Sequence, residues 1–261
     1  MSSLGTVFIA GGTGSFGRAF IRATLQRNLA DRIVSISRNA EMRYRLESEC
    51  PDARLTIVPG DVRLHADLDA AYDGPIDTVV VASAEKHIGT GQQYRQYAYS
   101  TNVLGSLNML DFAARHGASR LIGLSTDKAC HPVSHQIYGQ TKAAMERLFV
   151  QSNGRDGVQV SMVRYGNVVA SSGSVIPLFI RQRQMGRLTV TDRRMTRYWM
   201  QLADDADIQV LQEPERRPTL SAVGLVIFAL THMAGGEIFV PRLSSASVEQ
   251  IARAIGPQCV I

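Results

Sequence analysis

The sequence predicts an α/β fold in which a Rossmann-type, doubly wound parallel sheet is followed by a small C-terminal substrate-binding region. Short aliphatic segments alternate with helical segments through the first half of the 261-residue chain, and a glycine-rich turn follows the first segment. Consecutive parallel strands need crossover connections, which are usually helices, so this alternation favours a parallel sheet. A hydrophobic content of 45% is enough for a sizeable core.

Each predicted strand is a short, branched or aliphatic run bounded by turn residues. The runs are Thr6–Ala10, Arg32–Ser37, Arg54–Val58, Thr78–Ala82, Arg120–Leu124 and Val158–Val163. The helices between them begin near Ser15, Asn39 and Leu64, and longer helices are predicted at Gln93–His116 and Tyr138–Gln151. The apolar run Ala222–Leu230 is too short to span a membrane and is predicted to be a buried helix.

Composition and charge exclude several functional classes. No apolar run reaches the roughly 20 residues that span a membrane, and the N-terminal segment lacks the basic residues of a secretory signal. Cys50, Cys130 and Cys259 are too far apart in sequence to form a metal-binding pattern. The net charge of +5 is not concentrated in a basic run with aromatics, so no nucleic-acid partner is expected. We expect a cytoplasmic protein with reduced thiols and neither a metal site nor a membrane partner.

A dinucleotide-binding loop is predicted from Gly11 to Gly17, between the first strand and the first helix. Its glycines satisfy both Gly-x-Gly-x-x-Gly and Gly-x-x-Gly-x-x-Gly. Glycine allows the tight turn, the close approach of a pyrophosphate and the packing of helix against strand. The N–H groups at the start of the next helix favour an anion there. We expect cofactor contacts at Gly11, Gly14, Ser15, Phe16 and Gly17.

The residues after the second strand favour NADP over NAD. Many NAD-binding proteins have an acidic residue about 20 residues after the loop, which binds the ribose 2′-hydroxyl. This chain has Ser37 and Arg38 there, with Arg43 nearby, and an arginine suits a 2′-phosphate. Asp61, which precedes Val62, either accepts a hydrogen bond from the adenine amine or caps the next helix. We expect all five residues to contact the cofactor.

Candidate catalytic side chains follow the fifth predicted strand, at the edge where doubly wound sheets bind ligands. Thr126, Asp127 and Lys128 place a hydroxyl, a carboxylate and an amine together, and Tyr138 and Lys142 lie in the next helix. Tyr and Lys at positions i and i+4 share one helix face. We expect the Lys142 ammonium to lower the pKa of Tyr138, so that its phenolate is accessible near neutral pH.

The glycine loop together with this hydroxyl and Tyr–Lys set resembles the extended short-chain dehydrogenase/reductase superfamily. Further segments are similar to the inverting UDP-N-acetylglucosamine 4,6-dehydratases of polysaccharide biosynthesis: GGTGSFG at 11–17, GDVR at 60–63, TNVLGSLN at 101–108, LSTDKA at 124–129, YGQTKAAMERLF at 138–149 and VRYGNVV at 163–169. The most specific of them is Thr-Asp-Lys at 126–128, where ordinary nucleotide-sugar 4,6-dehydratases have Thr-Asp-Glu. The similar segments extend from Gly11 to Arg242, almost the whole chain.

The resemblance implies dehydration of a UDP-N-acetylhexosamine with an internally recycled NADP(H). Tyr138 would remove the proton of the sugar 4-hydroxyl while C4 gives its hydride to the nicotinamide, and Thr126 would hydrogen-bond the same hydroxyl. Lys128 would then abstract H5 as a base, Asp127 would protonate the departing 6-hydroxyl, and the hydride would return to C6. Members of the family are commonly oligomeric, so a homo-oligomer is expected.

The resemblance also implies two interleaved regions. We expect residues 1–165 to form the NADP-binding domain with the catalytic residues, and residues 166–261 mainly to bind the UDP-sugar. Additional cofactor contacts are expected at Ala82, Ser83, Ala84, Lys86 and Asn102, together with Tyr138 and Lys142. Substrate contacts are expected at Lys86, His87, Asn167, Ser174, Val175, Pro177, Thr191, Asp192, Arg197 and Glu237.

Three segments depart from the family pattern and leave other activities open. The stretch 89–97 lacks the acidic, Asn-Pro-containing sequence of the family, the loop Cys130–Ile137 is longer and contains His131 and His135, and Asp207–Ala222 is predicted to be an insertion. The alternatives are a UDP-N-acetylglucosamine 5,6-dehydratase of the nucleoside-antibiotic type, which stops before C6 reduction, and a UDP-sugar epimerase. A non-catalytic NADP-binding protein is more distant, because the catalytic set is intact.

Overall fold

A seven-stranded parallel sheet is the framework of the protein. The computed structural model describes residues 3–86, 91–134, 136–169, 171, 173–203 and 221–261. The strands of this sheet are β1 (Thr6–Ala10), β2 (Arg32–Ser37), β3 (Leu55–Pro59), β4 (Thr78–Val81), β5 (Arg120–Thr126), β6 (Gln159–Tyr165) and β9 (Ile238–Phe239). Their order is β3–β2–β1–β4–β5–β6–β9, and every neighbouring pair is parallel.

Helices cover both faces of this sheet. They are α1 (Ser15–Gln26), α2 (Ala40–Glu49), α3 (His65–Ala71), α4 (Gln92–Tyr99), α5 (Gly105–Arg115), α6 (Ile137–Gln151) and α8 (Ala222–His232). In β1, Ile9 packs in one cluster with Phe20 of α1, whereas Phe8 packs on the other face against Phe112 of α5, with 4.6 Å between ring centroids. Burial on both faces explains why the strands are continuous apolar runs.

The apolar run Ala222–Leu230 forms most of α8, and nearly all of its residues are buried. α8 packs with α1 on one face of the sheet. The predicted buried helix is therefore confirmed. No helix in the described ranges has both the length and the apolar character needed to cross a membrane.

The carboxyl ends of the strands meet at one edge of the sheet, and the strand order reverses at β1. From β1 the chain continues to β2 and β3 on one side, and it then crosses to β4, β5 and β6 on the other. Such a reversal leaves a crevice at the carboxyl edge, where ligands bind in doubly wound sheets. β5 ends two residues later than predicted because Ser125 and Thr126 pair with Arg164 and Tyr165 of β6.

A smaller lobe is built from the C-terminal part of the chain. Its three-stranded sheet has the order β10–β8–β7, formed by β7 (Asn167–Val168), β8 (Thr196–Met200) and β10 (Ser244–Ser247). It also contains α7 (Val175–Arg183) and α9 (Val248–Ile255), which pack around Phe179. α8 and β9 come from the same part of the chain but pack on the main sheet.

Candidate active site

The glycine loop after β1 has the shape that a dinucleotide requires. Gly11 has a φ of +87°, and a Cβ there would lie 2.6 Å from the backbone of the segment after β4. A Cβ on Gly17 would collide with the backbone of Gly11 and Gly12, where α1 packs on the loop. At Gly14 a Cβ would have one neighbour within 4 Å, the carbonyl oxygen of Gly11 at 3.3 Å, so this position is less crowded than Gly11 and Gly17. The loop residues therefore fit a dinucleotide cofactor.

Other predicted cofactor residues pack around this loop. The hydroxyls of Ser37, at the end of β2, and Thr13 lie 2.7 Å apart, and their hydrogen bond ties β2 to the loop. The Phe16 ring stacks on Phe20 with 5.8 Å between centroids, and Val62 is buried. The side chains of Phe16 and Val62 therefore contribute packing rather than polar contacts, while Ser15 is the first residue of α1.

Two arginines, one carboxylate and one phenol form a cluster beside the end of β2. Arg38 donates a hydrogen bond from Nη1 to the hydroxyl of Tyr97 in α4, and its Cζ lies 5.5 Å from the centre of that ring. Cζ of Arg63 lies 4.8 Å from the same ring centre. Oδ2 of Asp61 is 3.6 Å from Nη1 of Arg38 and 2.6 Å from Nη2 of Arg63. Burial would raise the pKa of Asp61, but its hydrogen bonds to Arg63 lower it overall.

Arg43 does not lie in this cluster. Its Nη1 donates hydrogen bonds to the backbone carbonyls of Ser37, at 2.8 Å, and of Arg38, at 2.9 Å. Arg43 therefore braces the turn that positions Arg38. Sequence reasoning missed Arg63 and Tyr97: the Asp61-x-Arg63 spacing was an available signal for Arg63, whereas Tyr97 lies 59 positions from Arg38 and had none.

Asn102 is buried and holds the segment that follows β4. Its Nδ2 donates to the carbonyl of Glu85 and to the hydroxyl of Thr141, both at 2.9 Å, and the N–H of Glu85 donates to its Oδ1 at 2.7 Å. It lies in a π-helical turn, Ser100–Leu104, which interrupts the predicted long helix between α4 and α5. Such turns are frequent at functional sites. Asn102 thereby fixes the backbone of Glu85, four residues after the end of β4.

Hydrogen bonds join the three polar residues at the end of β5. Oγ1 of Thr126 donates to Oδ1 of Asp127 at 3.0 Å, and Nζ of Lys128 donates to the same oxygen at 3.0 Å. Nζ of Lys128 also donates to Oδ1 of Asn167 in β7 at 3.4 Å. β5, the turn after it and β7 therefore bring these four predicted residues together.

Tyr138 and Lys142 lie on the face of α6 that meets the end of β5. Nζ of Lys142 donates to the backbone carbonyl of Leu124 at 2.8 Å, and burial lowers the pKa of Lys142 to about 8. Burial raises the pKa of Tyr138 to about 12, the Thr126 hydroxyl opposes this effect, and the Asp127 charge adds to it. The expected lowering of the Tyr138 pKa is thus not found, because desolvation outweighs any effect of the Lys142 ammonium.

All three lysines of the chain lie at this edge of the sheet. Lys86 follows β4, Lys128 follows β5, and Lys142 contacts the end of β5. The other 25 strongly basic residues of the chain are arginines. Burial lowers the pKa of Lys86 as well as that of Lys142. Ammonium groups, unlike guanidinium groups, lose protons readily when desolvated. The chain therefore has its lysines where proton transfer is expected.

A cavity of about 320 Å³ separates the end of β5 from the small lobe. Its wall is formed by Asp127, Lys128, Gln136, Thr196, Arg197, Tyr198 and Ser245. The structure thus brings the predicted substrate residue Arg197 to the same space as the catalytic candidates. Four lining residues were missed, since only the folding of the lobe over the sheet places them there: Gln136, Thr196, Tyr198 and Ser245.

Other predicted substrate residues lie elsewhere. The cavity wall does not include Ser174, Val175, Pro177, Thr191 or Asp192. Val175 packs in the core of the small lobe, and the Asp192 carboxylate accepts hydrogen bonds from Arg194. His87 and His135 lie outside the described residues, as does most of the predicted insertion Asp207–Ala222.

Glu237 requires a correction. It lies next to β9, where its carboxylate accepts hydrogen bonds from the hydroxyl of Ser161, at 2.5 Å, and from the backbone N–H groups of Ala234 and Gly235, both at 2.7 Å. Ser161 pairs with Ile122 of β5, well before the carboxyl end of that strand. Glu237 therefore stabilises the turn before β9 and does not reach the site.

Residues 7–217 match the model of a family described as polysaccharide biosynthesis protein. The chain is 34% identical over 256 residues to the UDP-N-acetylglucosamine 4,6-dehydratase (inverting) of Campylobacter jejuni subsp. jejuni serotype O:23/36, a match covering 96% of this chain and 71% of the relative. It is 36% identical over 257 residues to the UDP-glucose 4-epimerase of Rickettsia prowazekii, with coverages of 96% and 70%. The chain belongs to the polysaccharide biosynthesis protein family, and its resemblance to the inverting dehydratases is confirmed.

Solved structures show the same fold. Pen from Bacillus thuringiensis has a TM-score of 0.84 at 28% identity, covering 97% of this chain and 74% of that one. DesIV, a dTDP-glucose 4,6-dehydratase from Streptomyces venezuelae, has a TM-score of 0.77 at 22% identity, with coverages of 96% and 80%. The predicted Rossmann-type α/β class is confirmed.

Proposed function

We propose that this protein dehydrates a UDP-N-acetylhexosamine, such as UDP-N-acetylglucosamine, with an NADP that is recycled in each turnover. The main observation is the row of hydrogen bonds joining Thr126, Asp127 and Lys128. Asp127 and Lys128 line a cavity, and Thr126 interacts with the Tyr138 phenol. Oxidation at C4 and elimination across C5 and C6 require a phenol, a base and an acid in one site. The 34% identity with the Campylobacter jejuni dehydratase supports the same reaction.

The arginine cluster supports NADP as the cofactor. Arg38 and Arg63 bring two positive charges against the single carboxylate of Asp61, and Arg43 adds a third nearby. Within the described residues, Nε and Nη2 of Arg38 and Nη1 of Arg63 donate no hydrogen bond. These groups are therefore available to a 2′-phosphate, which suits the fork of an arginine.

Titration calorimetry of the purified protein with NADP and with NAD tests this choice. We expect NADP to bind at least about tenfold more tightly, a difference of about 1.4 kcal/mol, and Arg38→Gln to remove most of that difference. Arg45→Gln is the matched control, since Arg45 is exposed on α2 and pairs with Glu49. Equal affinities for NADP and NAD in the unmodified protein would contradict the assignment.

The side chains of the site have distinct tasks in the proposed reaction. When bound, oxidised nicotinamide supplies a hydride acceptor and a positive charge. Tyr138 accepts the proton of the sugar 4-hydroxyl, and Thr126 hydrogen-bonds the same hydroxyl. Because burial raises the pKa of Tyr138 to about 12, phenolate formation requires positive charge nearby, which the Lys142 ammonium supplies in part.

The contact between Asp127 and Lys128 allows the acid and the base to form together. The proposed step needs a neutral Lys128, which removes H5, and a protonated Asp127, which gives its proton to the departing 6-hydroxyl. An acid–amine pair and a carboxylate–ammonium pair contain the same number of protons. Since Nζ and Oδ1 lie 3.0 Å apart, one transfer along this hydrogen bond converts the ion pair into the reactive form.

The proton accepted by Tyr138 has a short route back to Asp127. Oγ1 of Thr126 donates to Asp127 at 3.0 Å and lies within hydrogen-bonding reach of the Tyr138 phenol. Transfer from Tyr138 to Thr126, and from Thr126 to Asp127, restores the acid after it has protonated the leaving group. Lys128 returns its proton to C5 when C6 is reduced. The proton of the 4-hydroxyl thus comes to rest on Asp127 and leaves in the water that is eliminated in the next turnover.

Incubation of the protein with UDP-N-acetylglucosamine and NADP, followed by mass spectrometry and NMR, tests the reaction. We expect loss of one water and a 4-keto product with a methyl group at C5. A stable 5,6-alkene would instead indicate the 5,6-dehydratase. Recovery of unchanged substrate from all UDP-sugars and other nucleotide sugars tried would contradict an enzymatic function.

A UDP-sugar 4-epimerase is the second candidate, because the Rickettsia prowazekii relative is 36% identical over nearly the same length. Epimerisation needs oxidation at C4 and return of the hydride to C4, but it needs no base at C5. Lys128→Met separates the two reactions: it should abolish dehydration, whereas an epimerase would retain its activity. An unchanged substrate mass with altered configuration at C4 would favour the epimerase.

A further inference from the structure

A buried polar network lies behind the catalytic strand. Oγ of Ser125 donates to Oε1 of Glu146 at 2.5 Å, and Arg164 binds both carboxylate oxygens, through Nε at 2.9 Å and Nη2 at 2.5 Å. Ser125 is 3% exposed and Glu146 is 5% exposed. Ser125 belongs to β5, Glu146 to α6 and Arg164 to β6, so a single carboxylate joins three elements. Satisfied buried networks of this kind hold their members in one arrangement.

The network is one of three contacts between consecutive residues of β5 and one face of α6. These contacts are Leu124 with Lys142, Ser125 with Glu146, and Thr126 with Tyr138. The three α6 residues are spaced four apart and therefore share a helix face. The placement of Glu146 on Ser125 thus fixes the register in which the phenol and the amine meet the end of β5.

We propose that Glu146 is a positioning residue for the Tyr138–Lys142 pair: it fixes α6 on β5, and its negative charge keeps the buried Lys142 ammonium protonated. The importance of that ammonium for catalysis rests on the proposed function. The effect of the Glu146 charge on Lys142 is independent of the proposed function, because it can be measured without a substrate.

Lys142 needs such a charge because its own contacts are neutral. It is 2% exposed, and its amine contacts the carbonyl of Leu124 and, at 3.4 Å, the sulfur of Met145. Burial lowers its pKa to about 8, and the Glu146 carboxylate acts in the opposite direction. The other ionisable groups on the packed elements nearby are Tyr138 on α6, Asp127, Lys128 and Cys130 after β5, and Arg164 and Tyr165 on β6. The side chain of Cys130 contacts Arg164.

Because Arg164 partly offsets the Glu146 charge, the pH at which Lys142 loses its proton can be shifted in both directions. Glu146→Gln keeps the shape of the side chain but removes its charge, so Lys142 should lose its proton at lower pH. Arg164→Gln leaves the carboxylate without its cation, so the full charge acts on Lys142, which should lose its proton at higher pH. If Glu146 and Arg164 acted only through packing, the two substitutions would not shift the titration of Lys142 in opposite directions.

The experiment is an NMR titration of protein labelled with ¹³C at lysine Cε. The chain has three lysines, so three signals are expected, and Lys86→Arg and Lys128→Arg identify the signal of Lys142. We expect the Lys142 midpoint to move by about one pH unit, downward in Glu146→Gln and upward in Arg164→Gln. Arg147→Gln is the matched control, since Arg147 is the next residue on α6 and is exposed. The Lys142 midpoint in Arg147→Gln should equal that of the unmodified protein.

Midpoints that stay in place, or move in the same direction in both variants, overturn the proposal. Thermal unfolding first establishes that each variant is folded; if Glu146→Gln is not, the direction of the Arg164→Gln shift decides. Turnover gives a second measurement: Glu146→Gln should lower kcat above pH 7 while KM stays unchanged, and Glu146→Asp should restore part of kcat. An absence of turnover with every sugar nucleotide would refute the proposed function, while the titration would still decide the role of Glu146.

Discussion

The amine of Lys142 donates a 2.8 Å hydrogen bond to the backbone carbonyl of Leu124, in a position where the lysine is 2% exposed. The Lys142 charge is therefore stabilised at the end of β5 by a neutral carbonyl group and by the carboxylate of Glu146, one turn further along α6. Burying a charge costs free energy even when hydrogen bonds are made. Lys142 should accordingly reduce the stability of the fold while serving the reaction.

Replacing Lys142 with methionine should stabilise the protein and inactivate it. Methionine is of similar length and has no charge to desolvate, so we expect the free energy of unfolding at pH 7 to rise by about 1–3 kcal/mol. We expect kcat to fall by at least about 100-fold, because the phenol loses its cationic neighbour. Urea unfolding and NMR detection of product measure the two effects. A less stable variant that remains active would contradict both.

The pKa of Lys142 also fixes the sign of a pH dependence. Burial lowers this pKa from 10.5 to about 8, so between these values the unfolded chain binds more protons than the folded protein. Stability relative to Lys142→Met should therefore rise as the pH increases from 8 to 10.5, by up to about 3 kcal/mol. Catalysis should decline over the same range as the ammonium is lost. Urea unfolding of both proteins at several pH values measures the difference, and parallel stability curves would contradict it.

Thr126 offers a test of the proton route between Tyr138 and Asp127. Thr126→Val removes the hydroxyl and should lower kcat by about 100-fold or more, whereas Thr126→Ser retains the hydroxyl and should stay within about tenfold of the unmodified protein. Single-turnover measurements of product formation provide the comparison. Equal losses in the two variants would mean that the hydroxyl transfers no proton.

Tyr97 should determine how strongly the protein prefers NADP. Tyr97→Leu removes the ring that lies against Arg38 and Arg63, and we expect NADP affinity to fall about tenfold while NAD affinity stays unchanged. Tyr97→Phe keeps the ring and should have an intermediate effect. Tyr99→Leu is the control on the same helix, since Tyr99 is 48% exposed. Calorimetric titrations that show equal losses for both dinucleotides would exclude this role.

Gly14 and Gly17 should respond differently to alanine. A Cβ on Gly17 meets backbone atoms, so Gly17→Ala should lower the free energy of unfolding by about 1–3 kcal/mol. Gly14 has a φ of −71°, and its Cβ would meet only one backbone oxygen, at 3.3 Å, so Gly14→Ala should fold with little loss of stability but bind the dinucleotide at least about tenfold more weakly. Unfolding curves and calorimetry separate the two effects. Normal binding by Gly14→Ala would show that the pyrophosphate does not approach this residue.

The parts of the site that were predictable from the sequence are local ones. The loop from Gly11 to Gly17 and the run Thr126–Lys128 each lie within a few residues of one strand end, and the order of strands determines which edge they share. Tyr138 and Lys142 were predictable as a pair because four residues separate neighbours on a helix face. The pKa of Tyr138 was not, since it depends on burial by β5 and the turn after it.

The parts that were missed depend on contacts between distant segments. Arg38 meets Tyr97 across 59 positions, and Gln136 and Ser245 reach one cavity from a loop and from β10. Glu237 lies in a segment that matches the family pattern, but its pairing beside Ser161 places it away from the carboxyl edge of the sheet. Such positions follow from the packing of elements, which no short motif specifies.

The confinement of lysine to Lys86, Lys128 and Lys142 has a practical consequence for handling the protein. Coupling reagents that react with primary amines have no lysine elsewhere on the surface to modify, because every other strongly basic side chain is a guanidinium. Immobilisation or dye labelling through amines would therefore attach at the chain terminus or at the edge where β4 and β5 end. Attachment through a cysteine introduced on the exposed face of α2 would leave that edge intact once Cys130, an exposed thiol two residues after Lys128, has been replaced.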